Sequence, residues 1–517
     1  MSHHTVERHE SVPVHRTAKV RWVAFILFAA SLALRLAYLN DGLFHLDSVR
    51  MVLSVEKTVE TGEFHSWFRS GSEIVNLILY LPLNALFDLE SADFTARLTN
   101  AIFGSLAVAA LFLLTHLLFD RIFAGLSAAI LLSVSPIFLA VTTIAKVHGV
   151  ELFFILTAIY LVFQFHGTKS RVSLALSAAC IGFSPWVRES ALVFIPIYAL
   201  AYLKPELRFE RRPVRFPAYA LAPANLAAVL VPLAVVLGGG MYVDILDRIQ
   251  HQVMREFATN NARFLGLFSS VLAKAWNDAS INFGLPIAGL SIAGLGLLLL
   301  RERDRFLAAF LLAWLATLFY FGNLHSYGAR YLTVVSIPVY ILSGFTLSML
   351  ASYGHRMARP AAISLLALVS TLSFLQAYPR IEYRSKISGP KDFALWLKEQ
   401  VPPNAVIIAT DDSVFIEYYA GLRCKKNPIE DANVMREWVR DVRKLLESGT
   451  PVYAVGSAFT YDHRWRLRRT LQAQFKLERI GSHLTEDYHR SELHSAYYDS
   501  PLIRLSVLPD VGSGSGE

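Results

Sequence analysis

The chain contains eleven apolar runs separated by polar gaps, and this series limits the folds that are open to it. The runs cover residues 22–39, 98–118, 122–144, 149–165, 172–187, 190–203, 217–238, 280–300, 306–322, 331–350 and 360–378. A helix needs about 17–25 apolar residues to cross a bilayer, so most runs are long enough and 190–203 is short. Because 54% of the 517 residues are hydrophobic and only 17% are charged, we predict a polytopic α-helical membrane protein with about 11 transmembrane helices.

Basic residues are concentrated in every second gap between these runs. The basic gaps contain Arg121; Lys169 and Arg171; Lys204, Arg208, Arg211, Arg212 and Arg215; Arg301, Arg303 and Arg305; and Arg356 and Arg359. The short gaps between them hold one basic residue each, namely Lys146, Arg188 and Arg330. Cytoplasmic loops carry the excess of lysine and arginine, so residues 1–21 are predicted to form a cytoplasmic tail and the membrane region 22–378 to end outside. The net charge is +8, but the basic residues do not cluster with aromatic residues in a nucleic-acid-binding module. Nucleic-acid binding is therefore not expected.

For two stretches the number of membrane crossings is not obvious from the sequence. Asn76–Phe87 is apolar but short and contains Pro82, so we interpret it as interfacial or re-entrant. The region 172–203 is either one long tilted span or a hairpin of two spans. The polar sequence Trp186–Glu189 in its middle favours a turn at the membrane interface and therefore the hairpin.

The composition changes after Pro379. Short helical and apolar strand patterns alternate there: a helix at 392–400, a strand at 405–409, a helix at 435–447 closed by Gly449, and a strand at 452–455. This order predicts an extracytoplasmic α/β domain at 379–511 with a parallel sheet, followed by a flexible tail at 512–517. The two cysteines, Cys180 and Cys424, lie in different environments, so no disulfide or cysteine-based metal site is expected.

The first candidate for chemistry lies in the long outer loop 40–92. Asp47 stands between apolar neighbours a few residues beyond the first run, followed by a helical pattern at 49–59 and a stop at Gly62. A carboxylate in such a niche can act as a general base towards a hydroxyl. The alternative is that Asp47 simply caps the following helix. Spacing alone favours neither.

The other candidates lie at predicted outer turns. Glu151 begins the fourth run, where it either complements the helix dipole or forms a second functional carboxylate with Asp47. Arg330 and Arg97 lie at the mouths of spans, where a guanidinium either binds a phosphate oxygen or reaches the lipid headgroups. For Arg35 we favour the headgroups, and Arg188 is expected to pair with Glu189.

No Walker loop, dinucleotide glycine fingerprint, nucleophile elbow or HExxH motif is present in the sequence. An energy-rich substrate must therefore come from the membrane. Asp47 and Glu151 could together hold a divalent ion, but the sequence offers no clear third ligand. No cofactor is assigned, and the need for a metal stays open.

The order of these features resembles the GT-C glycosyltransferases, in particular the branch with protein O-mannosyltransferases and the lipid A aminoarabinose transferase. That family has an early outer-loop acid before a helix that ends in glycine, as Asp47 and Gly62 do here, although Ser48 stands where the family has glutamate. The remaining matching motifs are Leu81-Pro82-Leu83, Arg97-Leu98, Ser135-Pro136, Glu151 after an outer turn, and Gly328-Ala329-Arg330-Tyr331 with Pro338.

The resemblance implies an inverting transfer of a sugar from a polyprenyl-phosphate donor to a hydroxyl on the extracytoplasmic side of a bacterial or archaeal plasma membrane. Asp47 would be the general base and Glu151 a second catalytic carboxylate, and we expect both to converge with Arg330 around one groove at the outer membrane boundary. Arg330, Arg97 and Lys146 would bind the donor phosphate, and His148, His325 and Tyr327 would line the substrate groove. The acceptor would be a glycan, a lipid or a protein.

Two other functions remain open. One is a lipid or solute transporter, although transporters usually place ionisable groups near the middle of the bilayer. Here the polar residues gather at the outer turns, which favours surface chemistry. The other is a receptor or assembly factor whose outer α/β domain binds a partner.

Overall fold

The structure is a computed structural model that describes residues 14–204, 217–238, 273, 283–300, 305–322, 329–410, 412–426, 432–459, 466–486 and 497–508. The helices of this part are Val14–Ala37, Leu46–Thr61, Ser70–Phe87, Asp93–Phe119, Ile122–Ser133, Pro136–Thr142, His148–Thr168, Arg171–Val187, Ile195–Leu203, Pro223–Gly238, Gly284–Leu300, Arg305–Ala316, Leu318–Gly322, Leu332–Val335, Ile337–Ala351, Ala358–Lys386, Gly389–Gln400, Ser413–Phe415, Ala432–Glu447 and Arg466–Gln474. Short 3₁₀ segments are Glu189–Phe194, Ala329–Tyr331 and Gly456–Phe459, and Ile416–Ala420 forms a π-helical turn.

The chain divides into two compact units. The helical unit comprises Met1–Ala37, Arg69–Val75 and Leu98–Pro379. The mixed unit comprises Tyr38–Phe68, Asn76–Arg97 and Arg380–Glu517, so the predicted first outer loop falls largely in the same unit as the C-terminal region. The domain boundaries drawn from the sequence stay a prediction.

Among the described residues, five helices are long and apolar enough to cross a membrane. They are Ala18–Ala37, Asp93–Phe119, His148–Thr168, Leu332–Ala351 and Ala358–Gln400. A sixth candidate is the pair Ile122–Ser133 and Pro136–Thr142, which is bent by 63°. Shorter apolar helices are Arg171–Val187, Glu189–Leu203, Pro223–Val236, Gly284–Leu300 and Arg305–Phe321. The count of about eleven spans stays a prediction.

Helices of the helical unit approach closely where a glycine lies between them. A Cβ atom at Gly344 in the helix Ile337–Ala351 would clash with the backbone oxygen of Ala124. On the same helix, the backbone oxygen of Leu342 contacts Gly294 so closely that a Cβ there would lie 2.5 Å from it. Small residues let apolar helices pack at short range, which is the main source of helix association in lipid. The helix Ile337–Ala351 is therefore packed on two neighbours.

Two helix boundaries bear on the sequence-based predictions, and the choice between one tilted span and a hairpin for 172–203 stays a prediction. The last long helix continues through Pro379 to Lys386, past the predicted end at 378. In the region 172–203 the helix ends at Val187, and Arg188 has the extended angles φ −161° and ψ 125°. The break thus falls at the predicted turn, within Trp186–Glu189.

The C-terminal region contains a five-stranded sheet in the order β2-β1-β3-β5-β4. Its strands are β1 Val406–Ile408, β2 Arg423–Lys425, β3 Val452–Val455, β4 Phe475–Glu486 and β5 Tyr497–Val507. β1 pairs in parallel with β2 and β3, whereas β5 pairs antiparallel with both β3 and β4. The two strands predicted from the sequence, β1 and β3, are parallel as expected. The antiparallel strands β4 and β5 were not predicted, and they make the sheet mixed.

Candidate active site

Asp47 lies in the first turn of the helix Leu46–Thr61, which ends at Gly62 with a left-handed φ of 72°. The N-cap is His45, whose Nδ1 accepts a hydrogen bond of 3.1 Å from the Asp47 backbone N–H. The alternative that Asp47 itself caps the helix is therefore wrong. Its side chain keeps 24% of its surface exposed, which leaves it accessible to a reacting hydroxyl.

His45 is a neighbour of Asp47 that the sequence analysis missed. Its Nδ1 also lies 3.2 Å from Asp47 Oδ2. His45 Nδ1 can accept from the Asp47 backbone N–H only when it has no proton, and it can donate to the Asp47 carboxylate only when it has one. The two contacts therefore belong to different protonation states of the His45 ring. Proton position on His45 and charge on Asp47 are thus coupled.

Arg97 lies in the mixed unit with Asp47 and binds protein groups there. Its Nε donates to Asp93 Oδ1 at 2.7 Å, and Nη1 donates to the backbone oxygen of Asn40. The side chain is 11% exposed. These contacts join the start of the helix Asp93–Phe119 to the segment that precedes Asp47.

The turn with Lys146 and His148 is fixed by Asn100 in the helical unit. Asn100 Nδ2 donates to the backbone oxygens of Val141 at 2.7 Å and Ile144 at 2.8 Å. Its Oδ1 accepts from the Gly149 N–H at 2.9 Å. A Cβ at Gly149 would lie 2.6 Å from the Asn100 backbone oxygen, so only glycine permits this approach.

Glu151 is fully buried on the next turn and forms an ion pair with Arg188. Arg188 Nη1 lies 3.2 Å from Glu151 Oε2 and 2.9 Å from His148 Nδ1. Ser190 Oγ donates to the other carboxylate oxygen at 3.4 Å. Arginine can only donate, so His148 Nδ1 is the acceptor and the ring is neutral with its proton on Nε2.

Arg188 is the main site residue that the sequence analysis missed. We expected it to pair with Glu189, but that expectation is wrong, because Glu189 binds Arg69 at 3.2 Å and Arg188 binds Glu151. Arg188 is 3% exposed, and its guanidinium carbon lies 4.1 Å from the ring centre of Tyr331. The helix break at this position was visible in the sequence, whereas its partners were not.

Four basic side chains act electrostatically on His148: Arg188, Arg330, Lys146 and Arg69. Two acidic side chains pair with arginines of this group: Glu151 with Arg188, and Glu189 with Arg69. All four positive charges act on the same imidazole ring, so these basic side chains lie close to one another. We call Arg69, Lys146, His148, Glu151, Arg188, Glu189 and Arg330 the basic cluster. It can bind an anion such as a phosphate.

Arg35 does not extend to the lipid headgroups, as we expected. It is fully buried in the helical unit, and its Nε donates to Thr142 Oγ1 at 2.8 Å. The guanidinium carbon lies 4.9 Å from the Phe138 ring centre. The prediction for Arg35 is wrong because Thr142 and the aromatic ring of Phe138 provide partners inside the helix bundle.

A family model and solved structures both match this chain, and they agree on one class of fold. A family model described as dolichyl-phosphate-mannose-protein mannosyltransferase matches residues 80–235. ArnT from Cupriavidus metallidurans in the apo state is similar to this chain with a TM-score of 0.59 and 14% identity, over 94% of this chain and 98% of ArnT. The chain has the GT-C fold.

Two further structures have the same GT-C fold. ArnT bound to undecaprenyl phosphate matches with a TM-score of 0.57 and 13% identity, over 95% of this chain and 98% of ArnT. The oligosaccharyltransferase AglB from Archaeoglobus fulgidus, in complex with an inhibitory peptide and a dolichol phosphate, matches with a TM-score of 0.56 and 14% identity. The match covers 94% of this chain and 75% of AglB. A comparison with curated proteins gives no match by sequence.

The GT-C fold confirms the predicted resemblance at the level of the fold, and the protein is an integral, multi-pass membrane protein. Of the predicted site residues, Lys146, His148, Glu151 and Arg330 belong to the helical unit, and Asp47 and Arg97 to the mixed unit. The predicted convergence of Asp47 with Glu151 and Arg330 stays a prediction. His325 and Tyr327 lie outside the described residues.

Metal ligands are not clustered in the part of the chain that the structure describes. No group of three or more His, Cys, Asp or Glu side chains suited to a metal ion occurs among those residues. Both cysteines are free thiols. The need for a metal therefore stays open.

Proposed function

We propose that this protein is a membrane glycosyltransferase that moves a sugar from a polyprenyl-phosphate-linked donor to a hydroxyl acceptor on the extracytoplasmic face. The observation that carries the proposal is the basic cluster, in a chain with the fold of two glycosyltransferases whose structures contain polyprenyl phosphates. A phosphate is both the donor's recognition group and the leaving group of this reaction. The arginine and lysine side chains of the cluster are suited to both roles.

Asp47 is the general base in this proposal. Its carboxylate removes the proton of the acceptor hydroxyl while the oxygen attacks the anomeric carbon. The bond from that carbon to the phosphate oxygen breaks, so the configuration is inverted and the lipid phosphate departs with the bonding electrons. The exposed fraction of Asp47 and its contact with His45 support this role.

Arg188, Lys146 and Arg330 are proposed to bind the donor phosphate, since arginine offers planar, charge-assisted hydrogen bonds. Glu151 is buried behind Arg188, which supports a role in orienting that guanidinium; its predicted direct catalytic role stays a prediction. The contacts of Arg97 with Asp93 and Asn40 support a role in holding the first loop.

The proposed orientation has the N-terminus in the cytoplasm and both the first loop and the C-terminal α/β domain outside. The distribution of basic residues along the sequence supports it. The sugar and the acceptor, whether glycan, lipid or protein, are left open by this proposal.

The test is sugar transfer by the purified protein in liposomes with a radiolabelled panel of polyprenyl-phosphate sugars and an envelope extract as acceptor. Label should leave the lipid and appear on an acceptor. Asp47→Asn should insert normally and lose transfer by roughly 10²–10⁴-fold, the contribution of a general base. Movement of label across the bilayer without transfer would favour the transporter, and near-normal transfer by Asp47→Asn would refute the assignment of the base.

A further inference from the structure

The short segment that precedes Asp47 is held by the C-terminal region of the mixed unit. Leu43 is completely buried and Phe44 is 3% exposed. The backbone N–H of Asp41 donates to the backbone oxygen of Arg384 at 3.0 Å. The backbone N–H of Leu43 donates to the hydroxyl of Tyr419 at 2.8 Å. Two main-chain groups just before the helix of Asp47 thus have partners more than three hundred residues away.

Side chains of the C-terminal region pack on the same segment. The guanidinium carbon of Arg384 lies 3.6 Å from the ring centre of Phe44, a cation–π contact. Lys391 Nζ lies 3.2 Å from the backbone oxygen of Asp41. A Cβ at Gly42 would lie 2.7 Å from Ser388 Oγ, 2.9 Å from Lys391 Cδ and 3.0 Å from Ser388 Cβ, so a larger residue would displace these side chains.

The hydroxyl of Tyr419 both accepts and donates a hydrogen bond. It accepts from the Leu43 N–H and donates to Asp93 Oδ2 at 2.8 Å. Burial raises the pKa of Tyr419, and the charge of Asp93 raises it further, so the hydroxyl stays a donor. Asp93 also accepts from Arg97, which binds the Asn40 carbonyl. The hydrogen bonds therefore connect both ends of the segment 40–43.

The adjacent Tyr418 binds the far part of the same helix. Its hydroxyl donates to Glu56 Oε1 at 3.1 Å, in the third turn of the helix Leu46–Thr61. Both tyrosines lie in the π-helical turn Ile416–Ala420, a type of local irregularity that is frequent at functional sites. The turn allows two consecutive side chains to reach two different carboxylates.

We propose that Tyr419 is a positioning residue for Asp47, and that the C-terminal α/β domain contributes to sugar transfer by fixing the position of the segment 40–44. This inference rests on the proposed function of Asp47. A general base must be placed within a fraction of an ångström of its proton, so a small displacement of the segment lowers the rate of the chemical step. Donor binding by the basic cluster does not require Tyr419.

The first experiment compares Tyr419→Phe with Tyr453→Phe, which removes the hydroxyl of a buried tyrosine in β3 of the same domain. Tyr419→Phe leaves the buried Leu43 N–H and one Asp93 oxygen without their partner, and we expect kcat to fall by roughly 10-fold with KM for the donor unchanged. Tyr453→Phe should leave kcat unchanged. Equal loss in both variants, or a loss confined to KM, would refute the inference.

A double variant tests whether Tyr419 acts through Asp47. In the Asp47→Asn background, Tyr419→Phe should have no further effect on the residual rate, because the base is already absent. A further loss of the full size seen in the wild type would show that Tyr419 acts by another route.

A measurement without activity separates this inference from the proposed function. Hydrogen exchange at the Leu43 amide should become faster in Tyr419→Phe and remain slow in Tyr453→Phe. Unchanged exchange would refute the positioning role even if the protein proves to be a glycosyltransferase. If exchange changes while the wild type transfers no sugar, only the proposed function fails.

A second pair of variants tests the same segment through packing. Gly42→Ala should lower kcat because the new methyl meets Ser388 and Lys391 Cδ. Ser388→Gly should restore part of the activity in the double variant, because it removes Oγ and Cβ and leaves only the contact with Lys391. Ser388 is an N-cap without a side-chain hydrogen bond, and glycine is tolerated there. Failure of the second change to restore any activity would contradict the role of this contact.

Discussion

Arg188 binds Glu151 and His148 and lies over Tyr331, and these three partners come from two other parts of the chain. A lysine would keep the charge but lose the planar fork and the contact with the ring. We expect Arg188→Lys to lower kcat/KM for the donor by roughly 10- to 100-fold, the range for one charge-assisted hydrogen bond. Steady-state kinetics with varied donor measures it.

The control is Arg171→Lys, at the other end of the same helix, where the side chain is exposed and binds Asn225 Oδ1 at 3.3 Å. It should leave the kinetics unchanged. If Arg188→Lys has a normal KM and kcat, Arg188 does not contact the donor.

The half-buried carboxyl group of Glu56 is expected to make the stability of the protein depend on pH. Burial raises the pKa of Glu56, although the hydrogen bonds from Ala92 and Tyr418 lower it. Its contribution to stability is therefore complete below the ordinary carboxyl pKa and is lost as the pH rises through the folded-state value. We expect Glu56→Gln to gain stability relative to the wild type between about pH 5 and pH 8.

Thermal unfolding in detergent at both pH values measures this difference in Tm. Glu60→Gln is the control for loss of one negative charge, because Glu60 lies exposed on the same helix beside Lys57. A Tm difference for Glu56→Gln that shrinks as the pH rises would contradict the argument.

Among the helical elements, Gly344 sets the distance between the helix Ile337–Ala351 and the helix with Ala124 and Ala128. A Cβ there would lie 2.9 Å from Ala128 N and 3.0 Å from its Cβ, besides the clash with the Ala124 oxygen. Backbone atoms cannot move away as a flexible side chain can. Gly344→Ala should therefore destabilise the protein by roughly 1–3 kcal/mol.

Gly296→Ala is a matched control in another apolar helix, because a Cβ at Gly296 has no atom within 4 Å. The measurement is the fraction of protein that remains monodisperse in detergent after heating. We expect a lower midpoint temperature for Gly344→Ala and an unchanged or higher one for Gly296→Ala, since alanine is the better helix former. The reverse order would refute the packing argument.

At the scale of the whole molecule, the proposed orientation places the two termini on opposite sides of the membrane. Single cysteines at Ser2→Cys and Ser515→Cys, in a background with Cys180 and Cys424 replaced by alanine, report each side. A membrane-impermeant maleimide added to intact cells should label the second variant and leave the first unlabelled until lysis. Labelling of both or neither in intact cells would overturn the orientation.

The sequence alone was sufficient for features that depend on neighbours along the chain. The apolar runs predicted the five long apolar helices of the described residues, Gly62 and Gly449 marked turns with left-handed φ of 72° and 79°, and β3 was found at its predicted bounds. Each of these signals is local, because helix length, apolar periodicity and glycine conformation act within a few residues. The motif order was also sufficient to predict the GT-C fold.

Only the tertiary structure decided the partners of buried charges and of strands. Arg188 pairs with Glu151 rather than the adjacent Glu189, Arg35 is buried against Thr142, and β5 is antiparallel to β3. A buried charge binds whichever group packing brings within reach, and strand direction depends on how the chain returns to the sheet. Tyr419 and Leu43 lie 376 positions apart, so no periodicity or motif connects them; folding alone brings the C-terminal domain to the segment that carries Asp47.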